Sequence, residues 1–275
     1  MKRSTSRGLG VGAVLASIVV FLVPFAFIVL TAAKSAQQAS LLDFAWPTHL
    51  QLLSNVRQVL ATQDYIVVIA FINSTVVTTV SVTVLVVFSA MVAFVLQRRV
   101  TRWTPLVNLL VLSGLIVPPA VVPTIWVLQR VHLFGSLPGL IFVEVAFGMS
   151  FCVLLFRAFI GTIPRDLDEA AVLDGASPLG LFFRVVLPLL RPVMVTVIVV
   201  QSVAIFNDFT NPLYFLPGEN QATVQLTLFN FQSQFNTSYN LLFMDILLIT
   251  IPPLVMYLFF NRQIVAGMTA GAVKG

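Results

Sequence analysis

The sequence predicts an all-α integral membrane protein with six transmembrane helices, and three observations carry that prediction. Of 275 residues, 59% are hydrophobic and only 9% are charged, against roughly 25% charged in soluble domains. Long stretches carry no charge at all: Gly8 to Ala33, Tyr65 to Gln97 and Trp103 to Gln129 each exceed the roughly 20 apolar residues that cross a bilayer. Finally, the basic residues crowd into alternate connections, as the positive-inside rule requires of a chain with one orientation.

The first span, Gly8 to Thr31, follows Lys2, Arg3 and Arg7. Its apolar run is about twice a signal-peptide core, so it reads as a retained helix rather than a cleaved leader. The second, Ile66 to Leu96, places Ser74, Thr78 and Ser81 at i, i+4 and i+7, on one face with Asn73 at its margin. Small hydroxyl side chains there suit close helix packing or the lining of a polar path. The third, Pro105 to Leu128, is predicted to kink at Pro118, Pro119 and Pro123, as the first is at Pro24 and the last at Pro252 and Pro253. The fourth, Leu140 to Ile160, contains Glu144, the fifth is Pro192 to Leu213, and the sixth, Leu241 to Phe260, contains Asp245. Carboxylates are costly in hydrocarbon, so both acids must face protein, water or a partner; near the outer helix ends, an interfacial or subunit-contact place is preferred to a proton carrier by the substrate path. With the N-terminus inside, twelve basic residues face the cytoplasm: Lys2, Arg3, Arg7, Arg98, Arg99, Arg102, Arg157, Arg165, Arg184, Arg191, Arg262 and Lys274. Only Lys34, Arg57 and Arg130 lie outside, which puts both termini in the cytoplasm. The net charge of +5 is therefore topological, not a nucleic-acid surface.

Several chemistries are excluded by counting. One cysteine, Cys152, cannot form an intrachain disulfide, and two histidines, His49 and His132, cannot build a typical zinc site, so no metal is expected. No Ser, Cys or His constellation suggests a nucleophile, so no catalytic residue is assigned. A phosphate loop of the form GxxxxGK[ST] is absent. Any ATP used must be hydrolysed by another chain.

The segment Ile163 to Pro192, between the fourth and fifth spans, concentrates caps, breakers and charge. Pro164 suits a first helical position, and Asp166, Asp168 and Glu169 complement the positive end of a helix dipole. Gly175 can close that helix in the left-handed conformation. Ser177 and Pro178 then form an N-cap and first turn for a second helix that runs to about Val186, before Pro188. The product is a bent helical knob on the cytoplasmic face. Ala170 and Ala171 offer a low surface, Phe182 and Phe183 aromatic anchors, and Glu169 and Asp174 acceptors for a partner's arginines. The same apolar residues, Leu181, Phe182, Phe183, Val185 and Val186, would equally suit a helix lying on the membrane.

The knob's sequence EAAVLDGASPLGLFFRVVLPLLRP resembles the EAA loop of permease subunits of bacterial binding-protein-dependent ABC importers, through Glu169, Ala170, Ala171, Asp174, Gly175, Ala176, Leu187 and Pro188. The resemblance implies a type I importer permease fold in which this loop forms coupling helices that insert into a cytoplasmic ATPase. The tail Asn261 to Gly275 and the segment Phe206 to Phe215 are similar to those of the carbohydrate, maltose-type branch, with Phe206 where Trp is usual. Asn73 with Ser74 matches a pair at the start of that branch's second span, and Lys34 falls where the first span usually ends in Lys. Asp245 departs from the branch pattern of small apolar residues. On this resemblance residues 1–64 hold the first span and outer loop, 65–262 the permease core with the coupling loop at 161–192, and 263–275 a cytoplasmic tail; the resemblance implies that its residues from Gly267 on also touch the ATPases, while their small, flexible composition equally suits a disordered end.

The implied partners are a second permease subunit, two copies of an ATP-binding subunit carrying ATP and Mg, and an extracytoplasmic solute-binding protein. The implied cargo is a sugar or sugar-like solute, and the location is the inner membrane. The chain binds no cofactor of its own. Asn73, Asn207 and Asp208 are the expected substrate-path residues, since hydroxyl-rich solutes need amides and carboxylates beside aromatic faces such as Phe206 or Tyr214. Asn207 and Asp208 could equally fix the turn into the outer loop. The rivals are an ion-gradient-driven secondary transporter, against which stand the absence of an internal repeat or of paired intramembrane charges, and a membrane scaffold.

Overall fold

The computed structural model describes residues 2–218, 221–232 and 237–270, all helices, turns and loops. In chain order the helices are α1 (Lys2–Ala32), α2 (Ala36–Ala39), α3 (Leu52–Ala61), α4 (Ile66–Arg98), α5 (Thr104–Ile116), α6 (Val121–Arg130) and α7 (Leu137–Ile160). There follow α8 (Asp166–Leu173), α9 (Pro178–Gly180), a π-helical segment Leu181–Val186, α10 (Leu187–Leu189), α11 (Arg191–Phe206), α12 (Thr210–Phe215), a 3-10 helix Val224–Phe231 and α13 (Tyr239–Ala270). Among the described residues three helices are long and apolar enough to cross a membrane: Ile66–Arg98, Leu137–Ile160 and Tyr239–Asn261. The pair Pro178–Leu189 and Arg191–Phe206, bent by 76°, counts as a fourth only if its two parts are one span, while Ala16–Ala32 and Thr104–Ile116 are apolar but shorter.

α4 shows how solvent overrides propensity. Its stretch from Ile66 to Val87 is rich in Val, Ile and Thr, which favour strands in water. In hydrocarbon a lone strand leaves its backbone polar groups unpaired, and a helix does not. At 33 residues and 1.5 Å per residue, α4 is about 50 Å long, well beyond a hydrocarbon core of about 30 Å.

Two of the expected spans divide. The third is not one kinked helix but α5 and α6, separated by Val117 to Ala120. Pro118 forces the preceding Val117 into an extended conformation (φ −77°, ψ 120°), which a helix cannot continue through. The fifth ends at Phe206, short of the expected Leu213, because Asp208 Oδ1 accepts from the amides of Thr210 (2.8 Å) and Asn211 (3.3 Å) and so starts α12 afresh. α1 and α13 run unbroken through Pro24 and through Pro252 and Pro253.

The chain forms two compact units. One comprises Met1–Ile69 and Val224–Pro252. Its centre is a polar knot where α1 ends. Lys34 is fully buried, its ammonium held by Asp43 Oδ1 at 2.6 Å and by the Asp43 carbonyl at 2.7 Å. A buried ammonium requires such pairing, and in return the Lys34 hydrogen bond holds the Asp43 carboxyl below the usual aspartate range. Buried Asn55 donates to the carbonyls of Ala32 (2.8 Å) and Lys34 (2.9 Å) and accepts from Asn240 (3.0 Å). Phe27 packs its ring against Phe44 and Phe243.

The other unit comprises Ala70–Thr223 and Pro253–Gly275. Its apolar core gathers α4, α7, the π segment and α11 through Leu85, Leu140, Val153, Phe156, Phe182 and Val197. α5 lies so close to α7 that a Cβ on Gly114 would overlap the Ser150 hydroxyl. Ser136 caps α7 by accepting from the Gly139 amide at 3.2 Å.

Candidate functional site

The knob between α7 and α11 is built by local rules that the sequence displays. α8 opens at Asp166, two residues later than Pro164 suggests, with Asp166, Asp168 and Glu169 in its first turn. Gly175 closes it at φ +84°. The Ala176 amide donates to the Ala171 carbonyl (2.9 Å) and the Gly175 amide to that of Val172 (3.0 Å), the paired bonds of a Schellman end. Ser177 Oγ then accepts from the Gly180 amide at 3.1 Å to start α9.

The second helix does not end at Val186. It passes through the π segment into α10 and stops at Leu189. Pro188 has no amide hydrogen and its ring crowds the carbonyl four residues back; the turn before it widens, so that the Leu187 amide reaches the Phe182 carbonyl five residues back. The chain then turns by 76° into α11.

On this frame Glu169, Ala170, Asp174 and Gly175 are exposed, while Ala171 and Ala176 are half-buried. Ala171, Asp174, Gly175 and Ala176 line a concave face of about 610 Å³ together with Ser177, Leu179, Phe183 and Arg184, and Glu169 and Ala170 lie outside it. Leu173 at the tip is 88% exposed. Carboxylates beside bare apolar side chains on a rigid turn are suited to receiving a protein partner. Phe182 and Phe183 divide their work. Phe183 is exposed, but Phe182 is only 3% exposed and stacks on Phe94 of α4 at 5.6 Å, so it anchors the knob to its own chain.

Beneath the knob lies a layer of arginines that sequence reasoning treated only as topological charge. Arg98 Nε lies 2.7 Å from Asp168 Oδ2, and its Nη2 donates to the Ile163 carbonyl at 2.9 Å. Arg157 donates to Gln97 Oε1 (3.2 Å) and Asn108 Oδ1 (2.6 Å), which ties α7 to α4 and α5.

The expected path residues are placed as follows. Asn73 is buried and donates to the Ala222 carbonyl at 3.1 Å. Asn207 is exposed, its amide donating to the Val203 carbonyl at 3.0 Å. Asp208 caps α12 and lies against Glu144, which accepts from Asn211 at 3.1 Å. This grouping of Glu144, Asp208 and Asn211 was not foreseen; the one signal for it was an acid inside a span. Glu144 and Asp245 face protein, as their cost in hydrocarbon requires, but the preference for an interface or a subunit contact is corrected: both are buried within the chain, and Asp245 is bonded by Thr227 at 2.8 Å. An internal hydroxyl or amide meets the desolvated carboxyl more cheaply than a lipid-facing position. The last five residues of the tail, with Lys274, lie outside the described residues.

A family model described as "Binding-protein-dependent transport system inner membrane component" matches residues 75–269. The chain is 32% identical over 209 residues to the melibiose/raffinose/stachyose import permease protein MelC of Bacillus subtilis, covering 75% of this chain and 76% of that protein. It is 28% identical over 260 residues to the diacetylchitobiose uptake system permease protein NgcG of Streptomyces coelicolor, covering 93% and 85%. In structure it is similar to a chain of a bacterial ABC transporter involved in the import of the acidic polysaccharide alginate. That match has a TM-score of 0.80 at 19% identity and covers 94% of this chain and 97% of the other, which establishes a shared fold.

Proposed function

Because the chain belongs to the family of binding-protein-dependent transport system inner membrane components, we propose that it is a permease subunit of an ATP-driven importer of a sugar or sugar-like solute. The sugar assignment draws on relatives named for melibiose, raffinose and diacetylchitobiose. Six spans, made by α1, α4, α5 with α6, α7, α11 and α13, place both termini and the knob in the cytoplasm by the positive-inside rule. A second permease subunit completes the pathway, a solute-binding protein delivers cargo outside, and two ATP-binding subunits hold ATP and Mg beneath the knob. No chemistry is assigned to this chain beyond translocation.

The observation that carries the proposal is the knob itself: two short helices locked at a left-handed Gly175, with exposed Glu169 and Leu173 beside a concave face that Asp174 and Gly175 line. Rigid, exposed and joined directly to α7 and α11, it can pass a push from a closing ATPase dimer to the membrane helices. On the outer side Asn207 and Asp208, with Asn73, offer the amide and carboxylate groups a polyol needs, and Glu144 and Asn211 extend that polar group.

Uptake by the importer reconstituted in vesicles with its partners tests this. Radiolabelled melibiose, raffinose and diacetylchitobiose are offered with the binding protein. Accumulation of at least one that needs internal ATP and survives collapse of the proton gradient is expected. Accumulation that persists without the ATP-binding subunits and vanishes with the gradient would overturn the proposal.

A further inference from the structure

The knob is joined by peptide bonds to α7 and α11, yet a buried ion pair and a buried ring contact tie it to a different helix. Its first limb is held by Arg98, whose guanidinium meets Asp168 at 2.7 Å and the Ile163 carbonyl at 2.9 Å. Its second limb is held by Phe94, whose ring packs on buried Phe182 at 5.6 Å. Phe94 and Arg98 are four residues apart on α4 and therefore share one face of it. Neither hold is a surface contact: the Arg98 and Asp168 side chains are 8% and 16% exposed. Arg165 adds a hydrogen bond to the Gln97 carbonyl at 3.4 Å, and Arg157 clamps Gln97 to Asn108.

We infer that Phe94 and Arg98 are positioning residues that make α4 move as one body with the coupling knob, so that the ATPase stroke reaches the pathway through α4 as well as through the covalent connections. This rests on the proposed function. A long α-helix is stiff along its axis, so a displacement at Arg98 is delivered to residues far up the span. α4 is also the helix that carries buried Asn73, Ser74, Thr78 and Ser81, the polar face expected near the path. Two holds on one face fix both the position and the rotation of the knob relative to α4, which one hold would not.

The test reads motion in α4 directly and needs no solute. A single cysteine replaces exposed Val80, 18 residues from Arg98 and so about 27 Å along the helix, and is labelled with bimane; the native Cys152 is fully buried and is left in place. The full assembly in nanodiscs is trapped with MgADP and vanadate. In the otherwise native chain the label's emission is expected to shift on trapping, with the ATP-binding subunits copurifying in full.

Arg98→Ala and the near-isosteric Asp168→Asn should each keep the copurification and lose most of the shift, the alanine change losing more. The charge swap Arg98→Asp with Asp168→Arg should recover more than half of it. A full shift in both single variants would overturn the inference. So would loss of copurification in both, since the pair would then merely fold the knob, and so would a swap no better than its single components. If the native chain neither retains the ATP-binding subunits nor shifts on trapping, the proposed function itself fails and this inference with it.

Discussion

Substituting Gly175 separates the backbone geometry of the knob from its contact surface. The residue sits at φ +84°, and a Cβ placed there meets nothing within 4 Å. Alanine therefore encounters no neighbour in this chain, and its whole cost is the left-handed backbone, about 1–2 kcal/mol for an ordinary residue. A penalty of that size cuts the population of correctly bent knobs by about 5- to 30-fold if the turn can relax. Asparagine enters the left-handed region more readily than alanine although it is larger, and valine enters it least because of its branched Cβ. The expected order of coupling is Gly, Asn, Ala, Val. The assay is the ratio of solute imported to ATP hydrolysed by the reconstituted importer, with the melting temperature recorded alongside and expected to stay close to that of the native chain. An order that instead follows side-chain size, with Asn below Ala, would show that crowding against a partner decides the effect. A native ratio for Gly175→Val would refute the requirement for a left-handed residue altogether.

Three further outcomes are expected. Asn55→Ala leaves the Ala32 and Lys34 carbonyls and the Asn240 amide without their partner; at about 1–3 kcal/mol for an unsatisfied buried group, a clear drop in melting temperature in detergent should follow, and an unchanged one would discount the knot. Gly114→Ala drives a Cβ into Ser150 Oγ and should destabilise by about 1–3 kcal/mol, as overpacking does, with Ser150→Ala restoring much of the loss in the double variant. The Asp43 carboxyl is held low by its hydrogen bond from Lys34, so the stabilisation is fully present at neutral pH and is lost as pH falls through the depressed value. Hydrogen exchange of the amides from Ser35 to Asp43 should therefore accelerate only in strong acid, and Asp43→Asn should abolish that acid-specific step.

What was legible in the sequence was what local rules decide. The fourth span, expected from its apolar run as Leu140 to Ile160, matches α7 at its end and starts three residues late, because Ser136 caps the helix and Pro138 sits in its first turn. The knob was legible for the same reason: Asp166, Gly175, Ser177 and Pro178 act on neighbours three to five residues away. The break at Pro118 was foreseen as a kink, but two successive prolines with an extended Val117 end a helix rather than bend it. The π segment was missed because a widened turn depends on how the residues before Pro188 are already buried in the core. Pairings across the chain were not legible at all. Arg98 with Asp168, Glu144 with Asn211 and Thr227 with Asp245 lie in different elements, and a charge count gives each of them only a side of the membrane or a cost in hydrocarbon. Lys34 is the clearest case. Alone at a helix end it reads as an outer charge, while in the fold it is fully buried and organises the knot around it.

Photocrosslinking from the tip of the knob reveals what the knob touches in the membrane. A benzoylphenylalanine in place of Leu173, 88% exposed, is irradiated in native membranes, with the same probe in place of Trp46, 80% exposed between α2 and α3, as the reference. The Leu173 probe should capture a chain that peptide sequencing shows to carry a GxxxxGK[ST] phosphate loop, in high yield, and the Trp46 probe should not. Capture of lipid alone at Leu173 would contradict the account and make the knob a helix pair lying on the membrane.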